Sequence, residues 1–204
     1  MRYFVTAIGT DSGKTVASAI LCEALGADYW KPIQAGYPRD TETVESLVNN
    51  SKTRFHPESY LLKTAAAPHA AAKQEELEIT MNNIKIPDTA NKLIIEGAGG
   101  CLVPINDYKL MADVIKMVST EVVVVANLYL GSINHTLLTI EALKSRRLQI
   151  KGIIFNGQSN AESERIILHY TSLEPLLHIY PEKEMNREIV KKYAVLLKTD
   201  SFNA

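Results

Sequence analysis

The chain has 204 residues, 46% hydrophobic and 22% charged, with 22 basic against 23 acidic side chains and a formal net charge of −1. That balance excludes the basic field by which a protein gathers nucleic acid or an anionic membrane surface, so recognition has to come from a local site and a small target. The length suits one domain over residues 1–204, and no apolar run approaches the ~18 residues of a membrane span. The sequence also enters strand-like residues without a leader, which predicts a cytoplasmic protein. The two cysteines, Cys22 and Cys101, lack the spacing and company of a zinc site and read as reduced thiols.

In chain order, residues 3–8 form a β-rich run and residues 16–25 a helical pattern that Gly26 is placed to end. Between them stands Gly13-Lys14-Thr15. A glycine there lets backbone N–H groups close around phosphates, a lysine neutralises them, and a threonine hydroxyl reaches a magnesium ion, which predicts a phosphate-binding loop. The strict pattern has another glycine five residues earlier, where this chain has Ile8, with Gly9 one step late. The bland alternative is a glycine turn beside an exposed lysine. Residues 28–31 read as a weaker strand, and Pro32 biases Lys31 towards extended backbone, either as a second cation aimed at the phosphates or as a surface lysine beside a turn. Asp40 precedes a helical run, as an N-cap or, if Thr41 or Thr43 caps, as a magnesium ligand. Residues 49–90, interrupted by Pro57, Pro68 and Pro87, predict a short helix or two.

Residues 92–96 are a buried strand pattern that ends on Glu96 and is followed by Gly97-Ala98-Gly99-Gly100. A carboxylate there suits a metal ligand beside backbone that approaches a bound group closely. Thr15, Asp40 and Glu96 are therefore a candidate magnesium-binding set. Helical patterns at 110–119, 133–147, 161–173 and 184–198 alternate with strand patterns at 121–127, 150–156 and 176–180, the last stopped by Pro181. Ser132 is a candidate N-cap with free N–H groups around it, a second anion site or only its own helix's cap. His135 and His69 read as packing or hydrogen-bonding histidines. Asn156-Gly157 offers an amide to a nucleobase edge or simply makes a turn. Apolar runs alternating with helices predict an α/β domain with a mainly parallel central sheet. Lys14, Lys31, Glu96, Asn127 and Asn156 fall at strand ends, where such sheets bind ligands.

Together these motifs resemble the dethiobiotin synthetase family. The loop, usually V-T-G-T-D-T-x-V-G-K-T in the family, here reads Val5-Thr6-Ala7-Ile8-Gly9-Thr10-Asp11-Ser12-Gly13-Lys14-Thr15, and Lys31-Pro32-Ile33-Gln34-Ala35-Gly36 stands for the family's K-P-x-x-(S/T)-G. Asp40, Pro68-His69, the E-G-A-G-G block at 96–100 and Gly131-Ser132-Ile133-Asn134-His135-Thr136 follow in order. Ala7 replaces a loop glycine, and Ala35 replaces a hydroxyl residue that touches substrate.

The resemblance implies a P-loop fold and an ATP- and Mg2+-dependent cyclo-ligase that joins CO2 or bicarbonate to 7,8-diaminononanoate, acting as a homodimer with no nucleic-acid or membrane partner. It implies catalytic roles for Lys14, Lys31 and Thr10. It implies nucleotide contacts from Asp11, Ser12, Gly13, Lys14, Thr15, Val16, Asp40, Glu96, Gly97, Ala98, Gly99, Asn156, Gly157, Pro181, Glu182 and Lys183. Substrate contacts would come from Lys31, Ala35 and, across the dimer interface, Asn134. The competing class is a nucleotide-switch ATPase of the partitioning or division-site type, whose signature lysine at the start of the loop is missing from Thr6-Ala7-Ile8. Amidotransferase-type cobyrinate ligases would need a glutaminase domain for which this length leaves no room.

Overall fold

Apolar runs of Val, Ile and Phe pair side by side in a seven-stranded parallel sheet, buried on both faces because helices cover both. The computed structural model describes residues 1–202. The strands are β1 (Arg2–Ala7), β2 (Asp28–Trp30), β3 (Ile33–Ala35), β4 (Phe55–His56), β5 (Tyr60–Leu62), β6 (Leu93–Gly100), β7 (Glu121–Asn127), β8 (Ile150–Asn156) and β9 (Pro175–Ile179). The helices are α1 (Lys14–Leu25), α2 (Asp40–Leu47), α3 (Pro68–Gln74), α4 (Met111–Val118), α5 (Ser132–Ser145), α6 (Ala161–Thr171) and α7 (Arg187–Leu196). The main sheet runs β4-β2-β6-β1-β7-β8-β9, with every pairing parallel.

Side chains alternate across the strands and divide the core in two. On one face Tyr3, Val5, Tyr29 and Ile94 pack with Ile20 and Leu21 of α1 and with Tyr193 of α7. On the other, Phe4, Trp30, Ile95 and Val124 pack with Val114 and Ile115 of α4. The central strands therefore deliver their carboxyl ends, and the loops that follow, to one edge of the molecule.

The structure corrects several boundaries. Residues 49–90 hold two short strands as well as α3, and β5 pairs with β3 in a second, two-stranded parallel sheet. Strands of two or three residues carry no readable period. β6 does not stop at Glu96 but continues through Gly100, because Gly100 pairs with Ala7 after a register shift. Gly97 permits that path, since a Cβ there would lie 2.7 Å from the Phe4 ring. α1 begins at Lys14 and ends, as its sequence predicts, on a left-handed Gly26 with φ 56°. Gly131, also left-handed, takes the cap position of α5, so Ser132 is the first helical residue and not the N-cap. α7 starts late, at Arg187, because the Asn186 side chain accepts from the Ile189 N–H at 3.1 Å and caps it there.

Candidate active site

The loop between β1 and α1 turns on Gly13, whose backbone is left-handed at φ 94°. A Cβ there would fall 2.4 Å from Asn156 Nδ2, so both conformation and space require glycine. Asn156 Nδ2 donates to the Ser12 carbonyl at 3.0 Å, tying the end of β8 to the loop. No side chain caps α1, which leaves its first-turn N–H groups for an anion. Lys14 is buried and its Nζ donates to the Gly9 carbonyl at 3.2 Å, while Ser12 Oγ donates to the same oxygen at 3.1 Å. Burial lowers the Lys14 pKa, with the charge of Lys31 adding to the effect and that of Glu96 opposing it.

Beside the loop two carboxylates converge. Thr15 Oγ1 lies 3.0 Å from Glu96 Oε1 and 3.2 Å from Asp40 Oδ1, and having one proton it can donate to only one of them at a time. Lys31 Nζ donates to Glu96 Oε1 at 3.1 Å and to Asp40 Oδ2. At 4% exposure Lys31 is not a surface lysine. Burial opposes its charge, but Glu96 and Asp40 outweigh that and raise its pKa. Thr15, Asp40 and Glu96 offer a hydroxyl and two carboxylates, and among the described residues no group of three or more His, Cys, Asp or Glu side chains could hold a metal. That donor set fits magnesium, which takes one or two carboxylates and completes its shell with water and phosphate.

These groups open on a cavity of about 730 Å3 at the carboxyl edge, lined also by Thr10, Asp11, Gly13, Val16, Ala35, Ala98 and Gly99. The sequence reading missed Gln34. Its buried amide donates to the Gly36 carbonyl at 3.0 Å and accepts the Asp40 N–H at 3.1 Å, bracing the turn that carries the cis Tyr37-Pro38 bond. Asp40 is therefore the first residue of α2 and not its cap. Neither threonine caps in its place, for Thr41 donates to Glu58 at 2.7 Å and Thr43 to the Arg39 carbonyl at 3.3 Å. A buried glutamine six residues after the start of the 28–31 strand pattern carries no motif of its own, so only the fold could reveal it.

Other predicted positions lie apart from this cavity. Asn134 lies on α5, outside the lining of the main cavity, and a separate hollow of about 450 Å3 is walled by Gly9, Thr10, Leu102, His135 and Leu138. His135 Nδ1 is engaged by the Tyr129 hydroxyl at 2.5 Å, consistent with a hydrogen-bonding role. Pro68 lines the main cavity; His69 does not. Gly157 is left-handed at φ 111° after β8. Pro181, Glu182 and Lys183 follow β9 outside the cavity lining, and the Glu182 carboxylate is taken by Tyr193 at 2.8 Å and Lys192 at 3.0 Å.

A left-handed glycine opening an uncapped helix over a buried lysine, at the carboxyl edge of a parallel sheet, defines a P-loop nucleotide-binding α/β protein. The AAA domain family profile matches residues 1–188. The ParA family ATPase from Chlorobium tepidum is similar in fold alone, with a TM-score of 0.62 at 11% identity over 95% of this chain and 97% of that one. The ATP-dependent dethiobiotin synthetase of Cytophaga hutchinsonii is 56% identical over 198 residues, 96% of both chains, and that of Christiangramia forsetii is 46% identical over 94% of this chain and 93% of its own. The chain belongs to the dethiobiotin synthetase family. Among the described residues no helix is long and apolar enough to cross a membrane.

Proposed function

We propose that the protein closes the ureido ring of dethiobiotin from 7,8-diaminononanoate, CO2 and ATP. One amine adds to CO2 as a carbamate. A carbamate oxygen then attacks the γ-phosphorus while the bond to the β-phosphate oxygen breaks and ADP leaves. The second amine attacks the carbonyl carbon of the resulting mixed anhydride, and phosphate departs.

The observation that supports this most is the second buried ammonium. Lys31, just past the end of β2, reaches the same cavity as Lys14 at the start of α1, and a plain nucleotide switch has no use for it. Lys14 and the first turn of α1 hold the phosphates, and Lys31 meets the charge that develops on the transferring phosphoryl group, since this chemistry depends on positioning and electrostatics. Thr10 and Ala35 stand on the cavity wall beside them, Ala35 where the family pattern has a hydroxyl residue. Thr15, Asp40 and Glu96 would hold magnesium, which when bound neutralises phosphate charge. One Asn156 N–H is already given to Ser12, leaving the second N–H and the carbonyl for adenine, with Gly157 and the backbone of Pro181 and Lys183 beside it. Glu182, whose Oε1 accepts from Tyr193 and Lys192, completes that side of the adenine contact. The substrate carboxylate rests on N–H groups near Asn134 of a second subunit, so the working form is a homodimer. A monomeric mass for the active species in sedimentation would remove that part of the reading.

ADP release, measured with and without diaminononanoate and bicarbonate, separates this activity from a partition-type switch, which would ignore both compounds. In the Lys31→Gln variant nucleotide affinity by calorimetry should stay near the parent value while dethiobiotin formation falls sharply, as for a contact made mainly in the transition state. An undiminished rate of ring closure would overturn the role given to Lys31.

A further inference from the structure

Glu96 is 1% exposed, and its two oxygens meet different surroundings. Oε1 faces the cavity, 3.0 Å from the Thr15 hydroxyl and 3.1 Å from Lys31 Nζ. Oε2 faces the core and accepts a hydrogen bond from the Tyr29 hydroxyl at 3.0 Å. Tyr29 is fully buried and its ring packs tilted against Phe55 at 6.2 Å. The strand register explains the meeting. Tyr29 pairs with Ile94, and Glu96, two residues further along β6, shares that face, so a ring leaning along the strands carries its hydroxyl to the carboxylate. An apolar side chain would fill this part of the core at least as well, whereas burying a phenol is favourable only when its O–H finds a partner.

We propose that Tyr29 is a positioning residue that holds Glu96 to ligation through a single oxygen and thereby sets the site's preference for a small, octahedral divalent cation over calcium. This rests on the reading of Thr15, Asp40 and Glu96 as the magnesium-holding set. A carboxylate with one oxygen tied back offers one well-aimed donor, which suits the strict octahedral demand of magnesium. Calcium readily takes a carboxylate through both oxygens as well as one, and tolerates irregular shells. Releasing Oε2 lets the carboxylate rotate, so the loss falls on magnesium and calcium gains a second oxygen.

The test is binding of Mn2+ to the full chain with ADP, followed by electron paramagnetic resonance, with displacement by Mg2+ and separately by Ca2+. In Tyr29→Phe the Mg2+ displacement constant should weaken on the order of tenfold, as expected for an outer-shell partner, while that for Ca2+ moves much less, so that the Mg2+/Ca2+ preference falls. An unchanged preference in folded Tyr29→Phe would overturn the inference, even if both affinities dropped together. Glu96→Gln is the control for the underlying reading: if it leaves Mn2+ binding at the parent value, the metal site itself is wrong. Should Tyr29→Phe alone not fold, Tyr29→Phe/Glu96→Gln, which leaves no buried carboxylate unpaired, is compared with Glu96→Gln. Action through Glu96 requires the two to share one preference that lies below the parent's; a shift between them, or a parental preference in both, overturns it.

Discussion

Asp28 and Glu96 lie on neighbouring strands towards opposite edges of the main sheet, each 1% exposed and each surrounded by donors. Asp28, at the start of β2, accepts from Thr89 at 2.7 Å and from Arg54 N–H and Asn91 at 3.1 Å, with His56 Nε2 also at 3.1 Å. Burial alone would raise its pKa, but the bonds from Thr89, His56, Arg54 and Asn91 outweigh it and hold the carboxyl below its ordinary value. These partners stitch β2 to β4 and to the segment entering β6. Glu96 is met instead by a lysine ammonium and two hydroxyls, with the cavity beside it. Burial and hydrogen bonding do not separate a structural carboxylate from a working one. What the structure does separate is access: Glu96 lines the cavity at the carboxyl edge, and Asp28 does not.

The largest break between the two edges comes from Lys14→Ala. Lys14 is a buried cation whose partner is a loop carbonyl, so its loss should cost turnover and not the fold. Activity should fall about 10²–10³-fold, the loss typical of a group that stabilises developing charge, with the melting temperature at or above the parent's. Near-normal ADP release would return the loop to an ordinary turn.

The carboxylates themselves give the next contrast. Glu96→Gln should remove most ring formation and raise the magnesium requirement while leaving the melt close to the parent's. Asp28→Asn should do the reverse, costing about 1–3 kcal/mol of stability through hydrogen bonds to a buried charge while sparing activity. Because the Asp28 pKa is lower folded than unfolded, its contribution is present at neutral pH. It is lost as pH falls through the folded value, below the ordinary carboxylate range of about 3.9. Denaturant titrations of parent and Asp28→Asn should therefore converge on acidification. A gap that persists at low pH would show that the side chain acts through packing and not charge.

Sequence legibility follows the same division. The four long strands, α1 and its Gly26 stop were readable because buried parallel strands and a strand-glycine-helix turn leave strong local patterns. The loop and E-G-A-G-G residues that line the cavity were legible because their pattern is local. Tyr29, Gln34 and the Asp28 network were not, for each acts on a residue distant in sequence or through a turn whose shape no period announces. β4 and β5 were missed for want of length, and Ser132 was given a cap position that Gly131 takes through its left-handed backbone. Lys31 was left open between surface and site, since the proline after it fixes backbone direction but not burial.

The smallest effect, and the finest probe of the working edge, belongs to Gln34. Its amide joins the Gly36 carbonyl to the Asp40 N–H, so Asp40 is aimed by a side chain that itself lines the cavity. Gln34→Leu keeps comparable bulk, removes both bonds and leaves the first N–H of α2 without its partner. A bond of this kind contributes about 0.5–1.5 kcal/mol, so kcat/KM should fall by roughly threefold to tenfold. The loss should shrink at saturating magnesium, because what is disturbed is the aim of a ligand and not its charge. Gln34→Glu, which keeps an acceptor for the Asp40 N–H but sets a carboxylate oxygen against the Gly36 carbonyl, should recover part of the loss if alignment of α2 is what matters. Activity against magnesium concentration, measured for all three proteins, decides the point. If Gln34→Leu matches the parent curve, Asp40 is held by α2 alone, and the turn before it is as structural as the network around Asp28.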